Sequence, residues 1–278
     1  MTPGIEAHTH EYIQTGQLDS KFGIHPDQVI SVIKLAQEKK NIRFNGLHVH
    51  IGSQILEVKP FSILAEVVFK VLAELKQKLK IEINELDFGG GLGINYLVKD
   101  RAPTPAQLAE AIASTVQFKA KEYKLNIPRI IVEPGRSIVG SAGVTLYRVG
   151  GLKDLKGIRK FAFIDGGMAD NIRPALYSAE YDAVVANKVG DKRKDLYTLA
   201  GKFCESGDIL IRDAQIQTPE PKDIIAVFGT GAYNHSMASN YNQALKPAMV
   251  LVKNGKAQEL VVRETYEDLI RNHRELKA

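Results

Sequence analysis

Three short apolar runs in the first half of the chain each end in a polar or glycine-rich cluster, at His50, Gly90 and Glu133, spaced about 40 residues apart. Amphipathic segments separate them. Residues 60–80 carry Ile63, Leu64, Val67, Val68, Val71, Leu72, Leu75 and Leu79 at steps of three and four, which predicts a helix. Thr104 followed by Pro105 predicts the start of another, with Leu108, Ile112 and Val116 as its buried stripe. A further helix is expected over 26–40. Short strands alternating with helices indicate parallel βα units, which place binding groups at the C-terminal ends of their strands.

Beyond Ser141 the pattern changes. Residues 160–165, 183–186, 196–204, 209–216, 224–229 and 248–262 read as strands, the last holding the hairpin signal Lys253-Asn254-Gly255-Lys256. A closing helix is expected over 265–276. The expected fold class is therefore α/β plus β, with an α/β part over 1–141 and a β-rich domain over 142–278. A closed (β/α)8 barrel needs about 250 residues. The α/β part is much shorter, so it is either a small open sheet or a barrel whose front strands lie outside this sequence.

Composition narrows the functional classes. Hydrophobic residues make up 44% and charged residues 25% of 278 residues, as in a globular protein. The net charge of +5 is spread over helical faces and a mixed loop at 188–195. No groove-reading motif or interleaved aromatics accompany it, so no nucleic-acid partner is expected. No apolar run approaches a membrane span, and no secretory signal is visible at the first residues. Cys204 is the one cysteine, which excludes a disulfide scaffold and fits a reducing, cytoplasmic setting.

Taken singly, the clusters leave choices open. Gly89-Gly90-Gly91-Leu92-Gly93 fits a tight turn or an anion cradle built from backbone N–H groups. Glu133-Pro134-Gly135-Arg136 fits a surface ion pair, or an arginine for an anion beside a glutamate for a protonated nitrogen. His48 and His50 alternate with apolar neighbours, as do His8 and His10. Buried structural histidines are the ordinary reading. No third ligand at metal spacing is visible, so no metal is expected. A lone Cys204 fits a small buried hydrophobe as well as a reactive thiol, and residues 229–242 fit a flexible loop.

Taken in order, the runs resemble the diaminopimelate decarboxylases, among the fold-type III pyridoxal-phosphate decarboxylases. The matching runs are Glu6-Ala-His-Thr-His10, Ser20-Lys-Phe-Gly23, His48-Val-His-Ile-Gly-Ser53, Asp87-Phe-Gly-Gly-Gly91, Glu133-Pro-Gly-Arg136, Asp165-Gly-Gly-Met168, Arg173-Pro-Ala-Leu-Tyr177, Cys204-Glu-Ser-Gly-Asp208, Gly231-Ala-Tyr233 and Ser239-Asn-Tyr241. The resemblance implies the C-terminal portion of a pyridoxal-phosphate-binding (β/α)8 barrel followed by the β-rich domain. It implies His50 against the cofactor ring, Ser53, Gly90, Gly91 and the Pro134-Gly135-Arg136 turn at the phosphate, with Tyr233, and Glu133 at the ring nitrogen. It further implies Arg136, Arg173, Tyr177, Glu205 and Tyr233 for a substrate, meso-diaminopimelate, that carries a carboxylate at each end. Cys204 is implied as the proton donor, in a homodimer.

The match departs from the family at one place that matters. The family's cofactor-binding lysine lies in a Tyr-Ala-x-Lys-Ala-Asn type run, and no such run occurs in this sequence. The chain is accordingly expected to be inactive alone and to need a complementing N-terminal fragment. The alternative is a non-catalytic paralogue that acts as a dimerisation partner or decoy, or survives as an inert remnant.

Overall fold

The computed structural model describes residues 1–5 and 21–275. The runs at His8 and His10, Ser20, and the end of the expected closing helix lie outside the described residues. The chain divides into two compact units, Met1–Ser141 and Ala142–Ala278.

In the first unit the elements are α1 (Pro26–Gln37), β1 (Gly46–His48), α2 (Lys59–Leu79), β2 (Glu85–Asp87), α3 (Pro105–Tyr123), β3 (Arg129–Ile131) and a short α4 (Arg136–Val139). The strands form a parallel sheet in the order β1-β2-β3, with Leu47 opposite Leu86 and Leu86 opposite Ile130. Helix α3 starts in a full capping box: Gln107 N–H donates to Thr104 Oγ1 at 3.2 Å, and Thr104 N–H donates to Gln107 Oε1 at 2.8 Å. Leu64, Val68, Phe69, Leu72 and Leu75 of α2 and Ile112, Val116 and Ala120 of α3 share a core with Val49, Ile51, Leu86 and Phe88. Ile63, expected in the buried stripe, is exposed. Phe61 and Ala65 are buried instead, which turns the apolar face of α2 slightly from the one predicted.

The apolar run that ends at His50 forms ladder pairs only to His48, because the chain then bends toward the following turn. Single bonds carry the sheet order further: Val49 N–H donates to Asp87 O at 2.9 Å, Phe88 N–H to Ile131 O at 3.0 Å and Glu133 N–H to Gly89 O at 2.8 Å. These bonds hold the three strand tips side by side.

The second unit contains β4 (Val144–Leu155), β5 (Arg159–Ile164), α5 (Arg173–Tyr177), β6 (Ala183–Val185), β7 (Asp195–Ala200), β8 (Ile209–Ile216), β9 (Ile224–Phe228), the hairpin β10 (Met249–Lys253) and β11 (Lys256–Val261), and α6 (Tyr266–Ile270). Six strands form a mixed sheet in the order β6-β9-β4-β5-β7-β8, antiparallel except between β5 and β7. The sheet curls until its end strands approach. There Val185 N–H donates to Gln217 Oε1 just beyond β8, at 2.9 Å. Asn254 and Gly255 both have positive φ, as a type I′ hairpin turn requires.

Strand β4, the longest among the described residues, has no counterpart among the strands read from the sequence. Gly150-Gly151 breaks its apolar alternation, and the strand serves two partners in turn, β9 through Val144–Arg148 and β5 through Val149–Leu155. The closing helix is one short turn, although Thr265 and Asp268 form a capping box. Tyr266 and Ile270 stay exposed, so no apolar stripe is buried to extend it.

Candidate functional site

In the first unit the three strand tips bring the sequence clusters together. Val49 and Ile51 are fully buried, and His48 and His50 point the other way. His50 Nδ1 accepts a hydrogen bond from Gly90 N–H at 3.2 Å, which fixes the ring beside the glycine turn. Burial depresses the His50 pKa, and neighbouring His48 adds to that, while Glu133 and Asp87 oppose it. The ring therefore favours its neutral form. His48 Nε2 lies 3.3 Å from Glu133 Oε2 on the exposed side of the tips.

The glycine turn packs against neighbouring backbone too closely to admit side chains. A Cβ on Gly90 would stand 2.3 Å from the Glu133 carbonyl oxygen, and one on Gly91 2.4 Å from that of Gly52. Gly91 also has φ +109°, closed to ordinary residues. The chain after Glu133 turns through Pro134-Gly135 into α4, which begins with Arg136. The Arg136 side chain is buried. Its Nη2 donates to Ser53 Oγ at 3.0 Å, its Nη1 donates to the Tyr96 hydroxyl, and its guanidinium lies 5.5 Å from the Tyr96 ring centre. A buried guanidinium and a serine hydroxyl thus stand together at one set of strand ends, beside the glycine turn, a pairing whose chemistry suits an anion.

Three residues of this cluster were missed by sequence reasoning. Tyr96 holds Arg136. Gln54 ties the Ser53 turn to the next loop: its Nε2 donates to Ile94 O at 2.7 Å and its Oε1 accepts from Ile94 N–H at 3.1 Å. Asp87 joins His48 and Glu133, so that a ring nitrogen and two carboxylate oxygens lie within 4.8 Å of one another. The expectation of no metal rested on there being no third ligand at local spacing. The third group comes from a neighbouring strand, where spacing along the chain does not reveal it. Exposed groups of this kind commonly stand together without an ion.

In the second unit, Cys204 and Glu205 lie on the exposed turn between β7 and β8. The reading of Cys204 as a small buried hydrophobe is thereby excluded. Glu205 Oε1 accepts from Gly207 N–H at 3.3 Å, and Oε2 accepts from the Tyr241 hydroxyl at 3.3 Å. Phe203 meets the Tyr241 ring edge-on, with centres 5.5 Å apart. So Tyr241 reaches Glu205, a contact the sequence reading did not assign. Tyr233 is largely exposed, with φ +63°. Arg173 is buried at the start of α5. Its Nη1 donates to the Tyr181 hydroxyl, and its guanidinium lies 5.6 Å from the Tyr181 ring centre. Tyr177 closes the same helical turn, half-buried. Burial pushes the Asp170 and Asp208 carboxyls above the usual range, and the Tyr147 hydroxyl well above its own.

The first unit is thus a parallel sheet whose tips carry a glycine turn, a buried arginine and a glutamate. Residues 1–140 match the family described as pyridoxal-dependent decarboxylase, pyridoxal binding domain, and the chain belongs to that family. Within it, the resemblance to diaminopimelate decarboxylases is borne out. The chain is 46% identical to the diaminopimelate decarboxylase of Bacillus subtilis strain 168 over 273 residues, 98% of this chain and 62% of that protein. It is 47% identical to that of Synechocystis strain PCC 6803 over 271 residues, 98% of this chain and 58% of the relative. The crystal structure of diaminopimelate decarboxylase from Helicobacter pylori complexed with L-lysine superposes with TM-score 0.87 at 32% identity, covering 98% of this chain and 65% of that one. The crystal structure of diaminopimelate decarboxylase from m. jannaschii in co-complex with L-lysine gives TM-score 0.87 at 37% identity, with 99% of this chain and 62% of that one covered. The chain thus spans about 60% of the length of the curated relatives it matches.

Proposed function

We propose that this chain forms part of a diaminopimelate decarboxylase, the enzyme that converts meso-2,6-diaminopimelate to L-lysine and CO2. In this reading residues 1–141 are the last part of a pyridoxal-phosphate-binding (β/α)8 barrel, and residues 142–278 are the β-rich domain with its short closing helix. The cofactor-binding lysine run does not occur in this sequence, so decarboxylation requires a complementing segment that carries it. The active form is a cytoplasmic homodimer. Among the described residues no helix is long and apolar enough to cross a membrane.

The residues present fit pyridoxal 5'-phosphate. The observation that carries the reading is the buried Arg136 guanidinium held by the Ser53 hydroxyl at the strand ends, beside the Gly90-Gly91 turn. Those groups, with Pro134-Gly135 shaping the turn and Tyr233 adding a hydroxyl, would hold the phosphate. The bound cofactor supplies an electron sink for the pair left when CO2 departs. Glu133 would keep a proton on the ring nitrogen, since a carboxylate favours the charged form of a facing base. His50, favoured in its neutral form by burial, would stand against that ring without adding a like charge.

Arg136, Arg173, Tyr177, Glu205 and Tyr233 bind the substrate, the guanidinium groups taking its carboxylates and Glu205 its distant ammonium. Cys204 Sγ–H delivers the proton to the α-carbon after CO2 leaves, as a positioned general acid.

The test is equilibrium binding of pyridoxal phosphate and of pyridoxal to the purified chain. Preference for the phosphate ester, lost in Arg136→Lys and weakened in Ser53→Ala, supports the reading. Equal binding of the two, or indifference to both substitutions, overturns it.

A further inference from the structure

Asp208 closes the Cys-Glu-Ser-Gly-Asp run. Its side chain is 3% exposed. Oδ1 accepts from Met168 N–H at 2.7 Å, and Oδ2 accepts from Phe203 N–H at 2.9 Å. Its backbone is equally committed: Asp208 N–H donates to Glu205 O at 3.0 Å, and Gly201 N–H donates to Asp208 O at 2.9 Å. The turn that carries Cys204 and Glu205 is therefore held on both sides by one residue, through Phe203 before it and Glu205 O within it.

The carboxylate also joins that turn to a second loop, the one following β5. Lys202 N–H donates to Gly166 O at 3.0 Å beside the Met168 bond. Both loops present glycine to the carboxylate. A Cβ on Gly167 would stand 2.4 Å from Oδ1, and one on Gly201 2.1 Å from Oδ2. The two loops close on the carboxylate at a distance that only hydrogen at Cα permits. A third strand of contacts arrives through Ser239, whose N–H donates to Ala169 O at 2.9 Å, and through the Tyr241 hydroxyl on Glu205.

We infer that Asp208 is the positioning residue of the thiol-bearing turn: its buried carboxylate, gripping the Phe203 and Met168 amides, fixes where Cys204 Sγ and the Glu205 carboxylate stand relative to one another. This rests on the proposed role of Cys204 as proton donor. Asp208 itself touches no substrate; it acts through the turn. A carboxylate is suited to this task because each of its oxygens accepts, whereas an asparagine there would set its NH2 against one of the two N–H donors.

Cys204 is the sole cysteine, so the full chain reports on its own turn. The experiment compares alkylation of Cys204 by neutral iodoacetamide and anionic iodoacetate, together with hydrogen exchange at Met168 and Phe203. Wild type should disfavour the anion, because Glu205, the next residue along the turn, carries a carboxylate held by Gly207 and Tyr241. Asp208→Asn should speed exchange at both amides about tenfold or more and shrink the iodoacetamide preference about threefold. Gly201→Ala keeps every charge but drives a methyl at Oδ2, and it should produce both changes; the double variant should add little to either.

Gly201→Ala carries the test if Asp208→Asn does not fold. Variants that fold with a lowered melting temperature but an unchanged reagent preference would show a merely structural role and overturn the proposal. So would unchanged exchange at the two amides. Neither readout uses decarboxylation, so failure here is separate from failure of the decarboxylase reading.

Discussion

His50 Nδ1 accepts the Gly90 amide at 3.2 Å, joining the tips of two neighbouring strands through a neutral imidazole. A protonated ring would present N–H to N–H and lose this bond, which is a second reason, after burial, for the ring to stay neutral. His48 depresses its pKa further, and Glu133 and Asp87 raise it. The signs give opposite expectations for two substitutions. His48→Gln should move the His50 titration midpoint upward and Glu133→Gln should move it downward, both measured by NMR of the ring protons. Shifts of the reverse sign would refute the placement of His50 among these three groups.

The glycine turn makes a stability prediction. Gly91→Ala places a methyl against the Gly52 carbonyl at a φ that L residues rarely adopt. It should destabilise the chain by about 2 kcal/mol in chemical denaturation. Thr104→Ala, which removes the α3 capping box, should cost about 1 kcal/mol. Gly157→Ala is a useful comparison because nothing lies within 4 Å of its added Cβ, although its φ is +73°. It should isolate backbone strain from steric contact and cost less than Gly91→Ala.

Arg136 is held by Ser53 and Tyr96, so its guanidinium is oriented before any anion arrives. Lysine keeps the charge but loses the planar fork and the second donor. Arg136→Lys should weaken pyridoxal phosphate binding by about tenfold, the worth of one charge-assisted hydrogen bond, and leave pyridoxal binding nearly unchanged. Isothermal titration with the two compounds reads the difference directly.

Asp170 and Asp208 have carboxyl pKa values raised above normal, chiefly by burial. A folded-state pKa above the unfolded one means that the folded chain binds protons more readily. Their contribution to stability is therefore greatest below about pH 4, the ordinary carboxylate value, and fades as pH rises through the raised values. Against a background set by the other groups, Asp170→Asn should flatten that part of the pH dependence of the melting temperature. A steeper profile in the variant would contradict the sign.

Much of this architecture is legible in the sequence because it is local. The α3 start at Thr104-Pro105, the buried Ile112 and Val116, and the Asn254-Gly255 hairpin each follow from a few adjacent residues. The site motifs were also legible as runs, since His50, Gly90, Glu133 and Arg136 stand at strand ends that the βα spacing announces. What escaped was non-local. Tyr96 meets Arg136 across 40 positions, and Asp87 meets His48 and Glu133 only because three strands lie in register. Strand β4 escaped because its two halves are stabilised by different partners, so no single face keeps an uninterrupted apolar alternation.

The decisive measurement is CO2 release from meso-diaminopimelate by this chain mixed with an N-terminal diaminopimelate decarboxylase segment that carries the lysine run. Neither polypeptide alone should release CO2. The mixture should yield CO2 and L-lysine in equal amounts, and Cys204→Ala in this chain should cut the rate at least about a hundredfold, the usual worth of a positioned acid. A mixture that assembles and retains pyridoxal phosphate but releases no CO2, or one whose rate ignores the loss of Cys204, would contradict the assignment.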